Sequence, residues 1–412
     1  MSALIPFEFD LPHRVGSLAG EPMIFHCHHY NSSLQRTISD AEYIDTAPIL
    51  VGAGAEVAFA QLTALFRSRK LTDVAERKAL ASEVYRWAGF GTFDLASVSI
   101  TGGSVSTTNS HYAAAWKAKW VQSDRPVCFF ASGWLAGAAA AVHDQPLGAY
   151  SVRHAECMAT GAPACCFELT RGPANYAIYK PVGVGALTEH KLRAVPANSH
   201  DESAILSAVA TLPLTGDMNG NIDAFGVRLT RHYANYYNRI SFEFLAELVK
   251  SFGDEGRRIA AELLVEAGRV CAFNTYGGVM TSPEWDALIR PNCRSREDWV
   301  FGMVAVVNAF GWGRIQVTEV SESRAEFVVH DDYESLGYLA MFGEARYPVS
   351  FLAQGGAAGL MNLVYRAGIE NKPALTPEFY EETMKHPHAY QARPLTSRAM
   401  GDEVTSFEVV PG

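Results

Sequence analysis

Four residues within one stretch of this 412-residue chain could do metal chemistry: Cys128, His154, Cys157 and Cys165. The last three follow the spacing H-x2-C-x7-C, and Cys128 lies upstream in RPVCFFASGWLAG. Zinc prefers thiolate sulfur and imidazole nitrogen in a closed tetrahedron, and three thiolates with one imidazole are such a donor set. The softness of these donors argues against magnesium or calcium. The same cysteines also read as small buried hydrophobic side chains, because this spacing is not that of a standard zinc finger.

A second polar cluster, His26, Cys27, His28 and His29, stands in HCHHYN. Imidazoles beside a thiol could act as general acid–base groups, hold a second metal or grip an anionic substrate. If the segment is extended, His26 and His28 share a face; if it is helical, His26 and Tyr30 do. In the plainer reading one histidine caps a helix and another is solvated. His28 and His29 are the candidate catalytic groups, with Asp45 as their carboxylate and Asp94 and Glu156 as further acids. Tyr30, Asn31, Trp116, Trp120 and Trp134 are the candidate substrate-binding residues. With Phe25, Phe129 and Phe130 the aromatics among them could line an apolar pocket, although aromatic stripes at helical spacing also build plain core. The chain carries no G-x-S-x-G and no dinucleotide fingerprint, and GVGALTEHK lacks the Gly-Lys-Ser/Thr ending of a phosphate loop.

The elements that must position these groups follow from periodicity. Residues 1–24 read as extended, 30–38 and 48–66 as helices, and 72–88 as an amphipathic helix capped by Thr72. Phe93–Thr101 and Ser104–Asn109 alternate as two strands, with Gly102-Gly103 as their hairpin turn. Residues 111–122 and 128–142 are again helical, and the glycines of the second invite close approach of another backbone. Residues 150–157 and 165–170 read as paired strands whose TGAP turn brings Cys157 and Cys165 together.

The chain also repeats itself. RPVCFFASGWLAG matches RYPVSFLAQGGAAG (346–359), FGTFDLASVSITGGSVSTTNSHY (90–112) matches FGWGRIQVTEVSESRAEFVVHDDY (310–333), and ATGAPACCFEL (159–169) matches AMGDEVTSFEV (399–409). HHYNSSLQR (28–36) likewise echoes HYANYYNR (232–239). A period of about 220 residues is too long for a solenoid and implies two copies of one domain, packed as a pseudo-twofold pair. The expected domains are 1–171 and 225–412, joined by a linker over 172–224. In the second copy the four candidate ligands become Ser350, Pro394, Ser397 and Thr405, so one metal per chain is expected. Its predicted elements are helices 241–268, 295–308, 332–341 and 350–366, strands within 313–330 and a closing strand at 404–410, with an insertion over 372–393. The expected fold class is α+β, each copy packing helices on an antiparallel sheet.

The first copy's cysteine stretch resembles the 4-vinyl reductase domain. That family pairs a Cys before a small-Gly-aromatic turn with E-x2-C-x3-G-x3-C-x-aromatic, and Cys128, Cys157, Gly161, Cys165 and Phe167 fit it. The family Glu is replaced by His154, itself a competent zinc ligand. The resemblance implies a structural zinc, saturated by protein ligands and so unable to activate water. It also implies either a biosynthetic role or, as in phenol-sensing relatives, a small aromatic ligand held near the metal.

Composition bounds the partners. A net charge of -10 without a Lys/Arg block argues against nucleic acid, and 48% hydrophobic with 19% charged residues describes a core-forming protein. The N-terminus has no signal-peptide pattern, the apolar stretches read as too short for a membrane span, and seven cysteines suggest no disulfide framework. A cytoplasmic protein is expected, with a small molecule as partner and a homodimer as the compatible assembly. The expected function is a natural-product tailoring enzyme doing cofactor-independent elimination, isomerisation or ring closure, including strained rings such as aziridine. The alternative is a non-catalytic binder or sensor of a small aromatic ligand.

Overall fold

The computed structural model describes residues 5–179, 186–189 and 191–412, so Gly183 and Gly185 of GVGALTEHK lie outside the described residues. The chain opens with β1 (Phe7–Asp10), β2 (Val15–Leu18) and β3 (Glu21–Cys27), an antiparallel meander. Next come α1 (His28–Ser39), α2 (Ala47–Ser68), α3 (Val74–Trp87), β4 (Gly102–Thr107), α4 (His111–Lys119), α5 (Phe129–Val142), β5 (Tyr150–Glu156) and β6 (Cys165–Arg171). The segment read as a linker holds α6 (Glu202–Thr211) and β7 (Ile222–Ala224). The back half has β8 (Val227–Tyr233), α7 (Ala234–Cys271), α8 (Gly277–Thr281), α9 (Pro283–Leu288) and α10 (Arg296–Ala309). It closes with β9 (Arg314–Val320), β10 (Ala325–His330), α11 (Tyr333–Phe342), α12 (Phe351–Met361), α13 (Pro377–Met384), β11 (Tyr390–Thr396) and β12 (Thr405–Pro411). Helices pack on antiparallel sheets throughout, an α+β fold.

The sheets run in the orders β1-β2-β3-β8-β7, β4-β6-β5 and β11-β12-β10-β9. In the first, β3 of the front half pairs with β8 of the back half, through Met23↔Tyr233, Phe25↔Arg231 and Cys27↔Leu229. This register is symmetric about the Phe25–Arg231 pair, and each strand runs straight into a helix, β3 into α1 and β8 into α7.

Small residues set the helix packing. A Cβ on Gly133 would sit 1.9 Å from the carbonyl oxygen of Val51, and one on Gly137 2.2 Å from that of Ala55, so α5 lies directly on α2. In the back half a Cβ on Gly355 would stand 2.2 Å from the Val265 carbonyl and one on Gly359 2.3 Å from the Ala272 side chain, so α12 is pressed onto α7. Helix α2 is the one helix among the described residues long and apolar enough to cross a membrane, contrary to the expectation from apolar runs; 67% of that stretch is buried within the protein.

Several local expectations are corrected. Asp73, not Thr72, caps α3, accepting from the Glu76 amide. Residues 93–101 form no strand, and Gly102-Gly103 begins β4 instead of turning a hairpin. There Asp94 accepts from the Ala96 amide and the Ser99 hydroxyl donates to the Gly102 carbonyl, local bonds that compete with a ladder. The back half has a true strand, β9, in the corresponding place. Positive φ at Gly89 (+89°) and Gly91 (+104°) recurs at Gly311 (+88°) and Gly313 (+104°). Phe90 therefore corresponds to Trp312, two residues beyond the Phe310 set against it by the sequence match. The strand-to-helix junctions likewise set His26 against His232.

Gly133→Val should lower stability by ~3 kcal/mol or more, since its β-carbon meets backbone that cannot yield. Denaturant unfolding measures this, and a loss below ~1 kcal/mol would contradict the packing described.

Candidate functional site

Cys128 sits at the start of α5, Cys165 begins β6, and His154 and Cys157 lie at the end of β5 and just beyond. The β5–β6 register slips between His154 and Glu156, turning the strand end toward α5. The left-handed Gly161 (φ +96°) then closes the turn that brings Cys157 back beside Cys165. The donor atoms of Cys128, His154, Cys157 and Cys165 all lie within 4.8 Å of one another. Cys128 and Cys165 sulfurs are 3.8 Å apart, the edge of a tetrahedron with bonds of about 2.3 Å.

Other features fit a cation. All three cysteines are buried and unpaired by disulfides. His154 stacks on Phe167 at 4.3 Å, and its Nε2 is buried with no hydrogen-bond partner. The Met158 amide donates to the Cys165 sulfur at 3.4 Å, and the Ser110 hydroxyl lies 3.2 Å from that of Cys128. Burial pushes the Cys128 thiol well up, while hydrogen bonds from Cys128 and Cys165 hold Cys157 far below its usual range. A dication would favour the thiolate of all three. The cluster could therefore hold a metal ion in a closed site. Cys166 points the other way, toward Ser106 and Glu156, and Glu156 is exposed and no part of the cluster.

At the corresponding back-half position the residues that replace the cluster build a different centre. Asp332, which sequence reasoning missed, accepts from the Ser335 amide (2.8 Å), the Ser350 hydroxyl (2.9 Å) and the Thr405 hydroxyl (2.7 Å). Its signal was present in HDDY, an acid before an apolar helix, which reads as an N-cap.

The candidate catalytic residues do not converge. His28 and His29 begin α1 with rings 3.9 Å apart, whereas Asp45 lies exposed beyond its far end; the helix has 12 residues, about 18 Å of rise. Burial lowers the His28 pKa, and burial with the neighbouring His28 takes His29 down to about 3, so both rings are neutral at pH 7. His28 Nδ1 lies 3.2 Å from the Arg228 carbonyl and must donate, which leaves Nε2 as an acceptor. That ring lines a cleft of about 590 Å3 between the halves, with Asp223, Arg228 and Glu284. Asp94 is a turn residue at the surface.

The candidate substrate-binding residues divide. Tyr30 stacks on His26 at 4.2 Å, and Asn31 bonds His111 (3.0 Å), Thr230 (2.9 Å) and Tyr237 (2.5 Å) across the seam. His232 accepts the Tyr233 amide on Nδ1 and so donates from Nε2 to the Tyr112 hydroxyl at 3.0 Å. Trp116 and Trp120 stack at 4.7 Å under the Arg36 guanidinium, and Trp134 is core, its indole donating to the Tyr233 hydroxyl at 3.0 Å. No shared pocket joins the three tryptophans among the described residues. The front-half space around Trp134 is filled by Tyr85 (4.7 Å from Trp134) and Phe93, with Phe90 and Phe130 4.5 Å apart beside them.

A closed Cys3His cluster on a helix-and-sheet scaffold defines a candidate metal-binding α+β domain. Residues 109–171 match the family model of the 4-vinyl reductase domain, and over that stretch the chain belongs to that family. Among solved structures, the crystal structure of the phenol-responsive sensory domain of the transcription activator PoxR with phenol is similar. It has 20% identity and a TM-score of 0.35, over 50% of this chain and 88% of that one. No curated protein sequence matches the chain.

Metal analysis of the purified protein should return one equivalent per chain. Cys157→Ser should remove it, whereas Cys166→Ser should leave it. Absence of metal from the wild type, or its retention in Cys157→Ser, would sink the assignment. Chelation should lower the Tm by at least ~4 °C.

Proposed function

We propose that this protein binds a compact single-ring molecule in its back half, while a zinc ion braces its front half. We further propose that the halves, residues 1–171 and 225–412, are copies of one domain related by a pseudo-twofold axis through Phe25–Arg231.

One observation carries the ligand reading. Tyr85, Phe130 and Trp134, which fill the front-half core, have Val307, Leu352 and Gly356 as counterparts, and these three line an enclosed cavity. Its other walls include Trp312, Phe327, Leu360 and Phe407. The cavity measures about 40 Å3, a few times the ~10–15 Å3 that one water needs by this measure. An apolar lining with a few polar groups is the usual form of a small-ligand site. Asp332 and Glu334 at the rim are occupied, Glu334 by the Leu352 and Ala353 amides at 2.9 and 3.0 Å. The hydroxyls of Tyr276 and Tyr333 are the groups left to meet a ligand's single polar substituent.

The zinc reading rests on the donor set. Four protein ligands leave no open position, so the metal would hold α5 to the β5–β6 turn and not activate water.

A second reading, a small-molecule tailoring enzyme, is favoured by the seam cleft. There a neutral His28 whose Nε2 accepts faces Glu284, whose Oε2 is buried without a partner. Such a pair could move a proton without a cofactor. His29 would hold the His28 ring by stacking, and Asp45 takes no part.

Titration with single-ring phenols should quench tryptophan fluorescence through Trp312. Gly356→Leu, which fills the cavity, should weaken that binding by about a hundredfold, an effect of ~2.7 kcal/mol, without loss of metal. Undiminished affinity in Gly356→Leu would refute the back-half site. If the enzyme reading holds, a metabolite that co-purifies and is converted on incubation should persist unconverted in His28→Ala. Equal conversion by both proteins would exclude it.

A further inference from the structure

Arg231 occupies an unusual place. It sits opposite Phe25 at the centre of the β3–β8 ladder, on the strand face turned away from the His26 and His232 side chains. Its guanidinium carbon lies 4.3 Å from the ring centre of Phe7, 4.2 Å from that of Phe25 and 5.0 Å from that of Trp87. Its Nε donates to the Leu214 carbonyl at 3.2 Å. Among the described residues no carboxylate pairs with it, and desolvation alone lowers its pKa to about 9. Most arginines of this chain have an acid at hand: Arg14, Arg77, Arg86 and Arg239, for example, each pair with one.

Three aromatic faces attract a cation through their quadrupoles, at about 0.5–2 kcal/mol each. They do not replace the hydrogen bonds its remaining N–H groups made to water, and leaving a buried charge without an opposite charge is costly. Those N–H groups make no hydrogen bond among the described residues, and the side chain keeps some accessible surface. That surface opens on a cavity of about 360 Å3 between the β1–β2 hairpin, the end of α10 and α6 of the inter-half segment. The walls are Phe7, Phe9, Leu11, Met23, Leu206 and Phe310 with their neighbours, and Arg231 is the one charged residue among them.

We propose that this cavity is a second ligand site, separate from the back-half cavity, that takes a small monocarboxylate with an apolar body. The carboxylate would pair with the free N–H groups of Arg231, the two-pronged arrangement that guanidinium makes best. The apolar body would lie against Leu206, Val209 and Phe310, displacing water from a hydrophobic wall. A phosphate or dianion is disfavoured, because one cation in an apolar chamber balances one charge.

The test is calorimetric titration of the full-length protein with octanoate and benzoate beside the uncharged octanol and benzyl alcohol. Trp87, stacked on Arg231, supplies a fluorescence signal for the same titrations. The carboxylates should bind at least about tenfold tighter than their alcohols, and Arg231→Met should erase that preference. Should Arg231→Met fail to fold, Ser207→Trp, on the exposed side of α6, adds bulk to the cavity wall without touching the sheet, and should abolish binding. Equal affinity for acid and alcohol, no binding of either up to millimolar concentration, or unchanged octanoate affinity in either variant would overturn the proposal.

Discussion

The antiparallel pairing of β3 with β8 is the contact that makes one structure from two halves. Because successive side chains in a strand point to opposite faces, this ladder serves two environments at once. Ile24, His26, Thr230 and His232 face the helices α1 and α7 and feed the buried network of Asn31, His111, Tyr112 and Tyr237. Phe25 and Arg231 face the other way, toward Phe7 and α6. A slip of one residue would put a guanidinium among the seam tyrosines and imidazoles against Phe7. The register is fixed by side-chain chemistry on both faces.

The two halves share backbone contacts more closely than side chains. Gly133 on the Val51 carbonyl and Gly355 on the Val265 carbonyl describe the same close helix crossing, and Gly161 and Gly401 close the same turn with φ of +96° and +95°. On that common frame the polar centres diverge. Three sulfurs and an imidazole meet at the head of α5, whereas at the head of α12 one carboxylate gathers two hydroxyls and an amide. Either arrangement satisfies buried polar groups and ties a strand turn to a helix start, so neither half needs the other's solution.

Much of this was legible in the sequence. The ligand set could be read because Cys and His at short spacing around a glycine turn leave few other arrangements. Helices α2, α5, α7 and α12 could be read because their apolar runs are long and glycine-bearing. The failures have physical causes. Residues 93–101 alternate like a strand, but Asp94 and Ser99 spend their side chains on nearby backbone. The histidines His28 and His29 drew attention by density, yet Asp45 is far from them because a whole helix intervenes. Trp134 looked like a pocket wall and is packing, since the cavity lies where its counterpart is Gly356. Arg231 left no trace at all: VRLTRHY alternates as any half-buried strand does, and only the tertiary fold shows that no acid reaches it.

The two cavities are unequal as departures from good packing. A void of about 40 Å3 costs on the order of 1 kcal/mol at roughly 24 cal/mol per Å3, which a chain of this size tolerates without any occupant. An enclosed guanidinium without a counter-charge is a larger strain, with an effective penalty of several kcal/mol per ion that aromatic faces only partly offset. Replacing Arg231 by an apolar residue would relieve it, since its neighbours are already Phe7, Phe25 and Trp87. A stability argument alone thus disfavours arginine at this position, whereas an argument from binding requires it. Of the two chambers, the one at the centre of the β3–β8 ladder is therefore where an absent partner would contribute most to the folded state.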